Sequence, residues 1–325
     1  MNILITGGAG FIGSNFVKYM VNKYPSYSFI NFDVLTYAGN LDNLKDVEDH
    51  DSYHFIKGDI LNVELVQRIV QEHHIDIIVN FAAESHVDTS IDHSSIFIKS
   101  NIEGTHSLLE VAKSANIKKF VQISTDEVYG SLGKTGFFTE DSPLLPNSPY
   151  SASKASADLL VRAYFETYGL HVNITRCSNN YGPFQFPEKL IPLLITNALT
   201  GKELPIYGDG LNVRDWLHVH DHCSAIDLVI HQGAAGETYN IGGHNERANK
   251  EIAQWIVKKL GVSNEKIKYV KDRLGHDFRY AIDPSKIKNE LGWKPIYTFE
   301  KGIEETIRWY TENEHWWKQT GGIHE

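Results

Sequence analysis

The sequence predicts an α/β protein: a doubly wound parallel sheet with a second, smaller α/β lobe interleaved with it. Three observations predict this. A short apolar strand at residues 2–6 runs into the loop Gly7-Gly8-Ala9-Gly10-Phe11-Ile12-Gly13. Such a loop lets backbone N–H groups approach a pyrophosphate at a helix N-terminus. Apolar runs then alternate with helix-like stretches, the rhythm of parallel strands joined by crossover helices. Polar residues collect at the ends of those runs, where ligands bind in an open α/β sheet.

Composition bounds the function. The 325 residues suffice for two packed units with a large core. A hydrophobic content of 42% and a charged content of 22% are ordinary for a globular chain. The net charge of −10 argues against a nucleic-acid or anionic-membrane surface. An anionic ligand must then be held by a few local cations. Cys177 and Cys223 lie far apart without CxxC spacing. They imply neither a disulfide framework nor a zinc knuckle, which suits a reducing cytoplasm. Met1 leads directly into a strand rather than into a charged segment and a long apolar run. No apolar run approaches membrane-spanning length.

In chain order, the glycine loop opens a helix over Ser14 to Tyr24, stopped by Pro25. Ser28 to Phe32 is a second strand, and Asp33 ends it at the offset of an acid that binds the ribose diol of NAD. No Arg follows in Val34-Leu35-Thr36-Tyr37 to pair with a 2′-phosphate, so NADP fits less well. Tyr53 to Lys57 is a third strand, with Gly58-Asp59-Ile60 after it. Ile75 to Ala83 is almost wholly apolar, which predicts a central strand. It ends in Glu84-Ser85-His86-Val87-Asp88, where His86 reads as a hydrogen-bonded structural residue. Ser100 to Ala115 reads as a helix.

Phe120 to Ile123 is the next strand. Ser124-Thr125-Asp126-Glu127 comes directly after it and places a hydroxyl and two acids side by side. Neighbouring carboxylates in a cleft have their pKa values pushed apart, so that one donates a proton while the other accepts one. The competing reading is a polar loop in which Thr and Asp cap the next element. Residues 131–149 form a loop. Ser148 and Pro149 then start a helix as N-cap and first-turn residue. Tyr150 and Lys154 fall on one face of it. A phenol has a pKa near 10 in water. The ammonium, with the positive charge of a nicotinamide, would lower it and make Tyr150 a base. The competing reading is an ordinary surface pair.

His171 to Arg176 is a sixth strand, and Ser178-Asn179-Asn180-Tyr181-Gly182-Pro183 opens towards the cleft. A helix begins around Glu188-Lys189-Leu190, and Pro205 to Gly210 reads as a turn. Val213 to Val219 and Thr238 to Ile241 read as strands returning to the sheet or its rim. Beyond residue 243, Trp255, Trp293, Trp309, Trp316 and Trp317 are expected mainly in the core of the smaller lobe. With no repeat and no linker, the lobes interleave. The large one takes residues 1–180 and 213–243, and the small one 181–212 and 244–325. His218-Val219-His220-Asp221-His222 would offer alternate histidines on a strand. Asp221 reads as a helix N-cap that breaks this alternation, so no metal is expected. His73-His74 fits a helix C-terminus.

Glycines at 7, 10 and 13 with Tyr150 and Lys154 resemble the extended short-chain dehydrogenase/reductase superfamily, which has a Rossmann fold. Thr125-Asp126-Glu127 is the sharper mark, because epimerases of that superfamily usually lack the Asp-Glu pair. With residues 33–40, 82–88, 178–183 and 272–277, the chain resembles the dTDP-glucose 4,6-dehydratase family over nearly its whole length. Ser100 stands where many relatives carry Thr and keeps the hydroxyl.

The resemblance implies an enzyme, a hydro-lyase with tightly bound NAD. Tyr150, helped by Lys154, would take the C4 hydroxyl proton of dTDP-glucose, and Thr125 would bond the same oxygen. Glu127 would remove the C5 hydrogen, and Asp126 would protonate the departing C6 hydroxyl. Glu84 and Asn179 would contact the sugar. Lys189, Arg214, Asn249, Arg273 and His276 would surround the nucleotide and diphosphate. Gly7, Gly10, Phe11, Ile12, Gly13, Asp33, Asp59, Ile60 and Asn180, with Tyr150 and Lys154, would hold NAD. Relatives dimerise through two helices, here near 100–115 and 151–168. The alternatives are another nucleotide-sugar dehydratase or 4-epimerase of the superfamily, or a non-catalytic NAD-binding sensor.

Overall fold

The computed structural model describes residues 1–320. The strands in chain order are β1 (Asn2–Thr6), β2 (Ser28–Asp33), β3 (Tyr53–Lys57), β4 (Ile77–Asn80), β5 (Lys119–Thr125) and β6 (Val172–Cys177). They continue as β7 (Asn179–Tyr181), β8 (Leu204–Tyr207), β9 (Val213–His218), β10 (Thr238–Ile241), β11 (Glu246–Ala248) and β12 (Ile267–Val270). The main sheet has seven strands in the order β10-β6-β5-β4-β1-β2-β3. Its ladders are all parallel. The order reverses between β1 and β4, the switch point at which an open α/β sheet forms its ligand crevice.

Burial explains why these runs are strands. All four residues of β4 and all seven of β5 are buried, as in a sheet covered on both faces. One face packs Phe16, Val17 and Met20 of the helix Phe11–Lys23 with Ile226 and Val229 of the helix Val219–Gln232. The other packs Val66 and Ile69, Leu108 and Leu109, and Val161 and Tyr164 from three further helices. Each fully buried Val, Leu, Ile or Phe contributes about 1.5–3 kcal/mol.

A three-stranded sheet, β11-β9-β7, and a parallel pair, β12-β8, belong to the second core. Leu194, Ile195, Trp216, Ile252, Ile303 and Tyr310 fill it. Only Ser178 separates β6 in the main sheet from β7 in the small one.

Several sequence expectations change. The first helix begins at Phe11, so Phe11, Ile12 and Gly13 form its opening turn. The helix expected from Ser100 is instead a wide π turn, Ile98–Glu103, that continues as Gly104–Ser114. Asn101 on that turn points inward to bond Glu84 and Ser153. Pro205 to Tyr207 lie in β8; the turn is left to Gly208 and Gly210, both at positive φ. The strand expected from Val213 joins the small sheet, through β7 and β11, rather than the main one. His218, not Asp221, caps the following helix. The Asp221 carboxylate is taken by the backbone N–H groups of Ile296 and Tyr297. Trp293 joins the main core, with its indole N–H on Ser224, while Trp255, Trp309, Trp316 and Trp317 go to the second. His73 does cap a helix C-terminus. His86 caps a helix N-terminus, its Nδ1 accepting from the Thr89 N–H at 3.3 Å.

Candidate active site

One long cleft runs along the carboxyl ends of β1, β2, β4, β5 and β6. At one end the glycine loop forms its wall. Gly7 lies at φ +71°, and a Cβ there would sit 2.6 Å from the Ala82 nitrogen. A Cβ on Gly13 would sit 2.3 Å from the Gly7 carbonyl oxygen. Only glycine lets the loop, the helix and the end of β4 approach so closely. Asp33 closes the same wall, its carboxylate accepting from Ala9 N at 2.9 Å and Leu35 N at 2.8 Å. Phe11, Ile12, Asp59, Ile60 and Asn180 also line this end. The glycine cradle beneath a helix N-terminus, next to a strand-end carboxylate, fits a dinucleotide.

The reactive groups meet mid-cleft. Thr125 is the last residue of β5, and Asp126–Tyr129 form a 3-10 turn after it. Thr125 Oγ1 accepts from Glu127 N at 3.3 Å and donates to Asp126 Oδ1 at 3.4 Å. Successive residues of such a turn point about 120° apart, so Asp126 is buried while Glu127 stays partly exposed. The helix Pro149–Tyr168 brings Tyr150 and Lys154 to the same place, started by the Ser148–Ser151 capping box. Lys154 Nζ donates to the Ile123 carbonyl of β5 at 2.7 Å, which fixes helix against strand.

Electrostatics separate these groups. Burial pushes the Asp126 carboxyl well above the carboxylate range, and the charges of Glu127 and Asp215 push it further. Burial also raises Glu127, but Arg273, Arg214 and Lys189 oppose that rise. Both carboxyls are thus held above their ordinary values, but neighbouring carboxylates add to the rise at Asp126 while neighbouring cations offset part of it at Glu127. For Tyr150 the expectation from Lys154 changes. Burial, then the charge of Glu127, hold the phenol well above its ordinary value, while a hydrogen bond with Thr125 opposes them. Burial lowers Lys154 itself.

The remaining site residues divide. Glu84, Asn179 and Lys189 line the cleft. Lys189 Nζ donates to the Ser85 carbonyl at 2.9 Å. Arg214, Asn249, Arg273 and His276 lie outside this lining, although the charges of Arg214 and Arg273 reach Glu127. Arg214 donates to the Asp277 carbonyl at 3.0 Å and stacks 4.3 Å from the Tyr280 ring centre. Arg273 Nη1 lies 3.7 Å from Asp88, and His276 Nδ1 2.6 Å from Asp272. Asn249 is buried, and its Oδ1 has no hydrogen-bond partner among the described residues.

Sequence reading gave no role to Ser124 and Ser178, which are buried at the cleft, or to Cys177, which faces it. For Ser124 and Ser178 the signal was a polar residue directly before an assigned one, at the end of an inner strand. Tyr37 and Glu188, joined at 3.1 Å across the two lobes, gave no such signal. Among the described residues, no cluster of His, Cys, Asp or Glu could hold a metal. No described helix is long and apolar enough to cross a membrane.

A family model described as GDP-mannose 4,6 dehydratase matches residues 4–306. A dTDP-glucose 4,6-dehydratase of Xanthomonas campestris is 54% identical, over 96% of this chain and 94% of its own. The chain belongs to the nucleotide-sugar 4,6-dehydratase family. Its structural relatives agree. The dTDP-glucose 4,6-dehydratase of Bacillus anthracis, solved with NAD, is 60% identical with a TM-score of 0.93, covering 98% of this chain and 99% of its own. A UDP-glucose 4-epimerase of Thermotoga maritima shares the fold at 30% identity, with a TM-score of 0.90 over 97% of this chain and 100% of its own. Within this family's fold, the seven-stranded parallel sheet and its flanking helices are those of the extended short-chain dehydrogenases.

Proposed function

We infer that the protein converts dTDP-glucose to dTDP-4-keto-6-deoxy-glucose with the help of tightly bound NAD. The observation that carries this reading is the contrast between Asp126 and Glu127 on one turn beside Tyr150. Oxidation alone needs only a base at the C4 hydroxyl. Removing water across C5–C6 needs an additional base and an acid, and the cleft supplies both.

Bound NAD would accept the hydride from C4 and give it back to C6 once water is lost, as C5 regains a proton, and the residues that fit it are the glycine loop, Asp33, Asp59, Ile60, Asn180, Tyr150 and Lys154. Tyr150 takes the C4 hydroxyl proton, and Thr125, on the same hydrogen-bond path, steadies that oxygen. The positive charge of the nicotinamide and of Lys154 works against the burial that raises the phenol. Glu127 then removes the C5 hydrogen, which the C4 ketone has acidified. Asp126 delivers its proton to the departing C6 hydroxyl. Glu84 and Asn179 hold the sugar. Lys189, Arg214, Asn249, Arg273 and His276 surround the nucleotide and diphosphate. Lys189, Arg214 and Arg273 answer the acidic net charge by placing positive charge only where the ligand needs it.

The strand Val213–His218 goes with the small lobe, so the large lobe of residues 1–180 and 219–243 binds NAD, and the small lobe of 181–218 and 244–325 binds the nucleotide. Residues 321–325 of that second segment lie outside the described residues. A cytoplasmic homodimer belongs to the same reading. Cys177 and Cys223 are both free and buried. Leu159 and Tyr168 leave apolar surface exposed on the helix Pro149–Tyr168. The test is incubation with dTDP-glucose, with the product followed by NMR and UDP- and GDP-hexoses as controls. A 4-keto-6-deoxy product from dTDP-glucose is expected, without net NADH. A C4 epimer, or turnover of another nucleotide alone, would overturn the reading.

A further inference from the structure

The helix Pro149–Tyr168 carries one buried stripe of polar groups, Tyr150, Lys154 and Asp158, each one turn from the next. The mechanism uses the first two and leaves Asp158 without a role. Asp158 is 1% exposed. Its Oδ2 accepts from Arg176 Nε at 2.9 Å, and its buried Oδ1 has no hydrogen-bond partner among the described residues. Arg176, on β6, adjoins the cleft residue Cys177 and pairs in register with Ser124 of β5. Its Nη1 donates to the Tyr129 hydroxyl at 2.9 Å, and its guanidinium lies 4.9 Å from the Tyr129 ring centre. Tyr129 ends the turn that Asp126 and Glu127 begin, and its hydroxyl donates to Asn240 Oδ1 at 2.8 Å.

A polar path therefore runs under the cleft from the acid–base turn, through Tyr129 and Arg176, to the helix that carries Tyr150 and Lys154. Burying an ion pair is costly, and apolar groups of similar volume often serve stability as well. What such groups cannot do is fix two segments by directed bonds and place a negative charge one turn from a buried ammonium.

We propose that Asp158, held by Arg176, is a positioning residue that supports the Lys154 ammonium and, through Arg176 and Tyr129, fastens the Asp126–Glu127 turn to the Tyr150 helix. It rests on the reading of Tyr150 and Lys154 as the pair that works at C4. Burial lowers Lys154, and the charge of Asp158 opposes that lowering most strongly. Removing both members of the ion pair therefore withdraws the support without leaving a buried charge unpaired.

The experiment follows NAD reduction and C5 hydrogen exchange separately, on mixing the holoenzyme with dTDP-glucose across a range of pH. In the double variant Asp158→Asn/Arg176→Met, Lys154 loses its proton sooner. The alkaline limb of C4 oxidation should move down by about one pH unit or more. Tyr129→Phe should leave that limb in place and slow C5 exchange about tenfold relative to C4 oxidation, as expected when a proton acceptor is misplaced. Arg176→Lys, which keeps the charge but loses the planar fork, should reproduce the Tyr129→Phe split. If the double variant does not fold, Asp158→Asn alone carries the same limb measurement. An unmoved limb, or equal slowing of both steps by Tyr129→Phe and Arg176→Lys, overturns the proposal. Tyr150→Phe serves as the control. If it still reduces NAD at the parent rate, the site reading itself fails. If it does not, an unmoved limb counts against Asp158 alone.

Discussion

Asp126 and Glu127 occupy consecutive positions of one 3-10 turn, yet the largest charge effects come from anions at the first and from cations at the second. Asp126 feels Glu127 and Asp215, while Glu127 feels Arg273, Arg214 and Lys189. This difference predicts a split between two substitutions. Glu127→Gln keeps size and hydrogen bonding and removes the base. NAD reduction on mixing with dTDP-glucose should survive, and C5 exchange with solvent deuterium should disappear. Asp126→Asn should keep both and slow loss of water at C6 by roughly two or more orders of magnitude. Equal loss of NAD reduction in both variants would refute the division of labour.

Tyr150→Phe removes the acceptor of the C4 hydroxyl proton. It should suppress NAD reduction while leaving binding of the nucleotide sugar largely intact. Stopped-flow absorbance of the reduced cofactor, together with calorimetric titration of dTDP, reads the two effects separately. Weakened binding with an unchanged first step would place Tyr150 in recognition instead.

The raised pKa of Asp126 is also a statement about stability. A carboxyl held above its unfolded value contributes stability that is complete below the unfolded pKa and is lost as pH rises through the folded one. The native state then carries a buried anion. Asp126→Asn removes that anion, so the melting temperature of the variant relative to the parent should rise with pH and be least favourable in acid. Parallel melting curves across pH would contradict the assignment of Asp126 as the proton-holding carboxyl.

Gly7 and Gly169 share a left-handed backbone, at φ +71° and +69°, but not their surroundings. At Gly169 an added Cβ meets nothing within 4 Å, and Gly169→Ala should cost only the conformational strain of about 1 kcal/mol. At Gly7 the same methyl meets the backbone of Ala82. Gly7→Ala should therefore cost clearly more and also release the cofactor. Thermal unfolding and the NAD content of purified protein test both. Equal melting temperatures for the two variants would show that the loop is not tightly packed against β4.

The parts of the site legible in the sequence are those whose spacing lies within one element. The glycine loop, Asp33 at the end of β2 and the Tyr150–Lys154 pair each depend on local geometry, and the structure places all of them on the cleft. The parts that were not legible depend on pairings distant in sequence. β8 holds Pro205 because its partner, β12, lies some sixty residues on, beyond any local turn signal. The π turn at Asn101 follows from bonds to Glu84 and Ser153, residues of other elements. Tyr150 was read as a phenol eased by its lysine, whereas burial and nearby carboxylates dominate it, and these are invisible to spacing.

With Ser178 as the sole residue between β6 and β7, the two sheets share one uninterrupted length of backbone. Asn179 and Asn180 of that length face the cleft. A floor stitched in this way ties one strip of the cleft to both cores at once. Any shift of one core against the other would therefore be felt directly at Asn179 and Asn180.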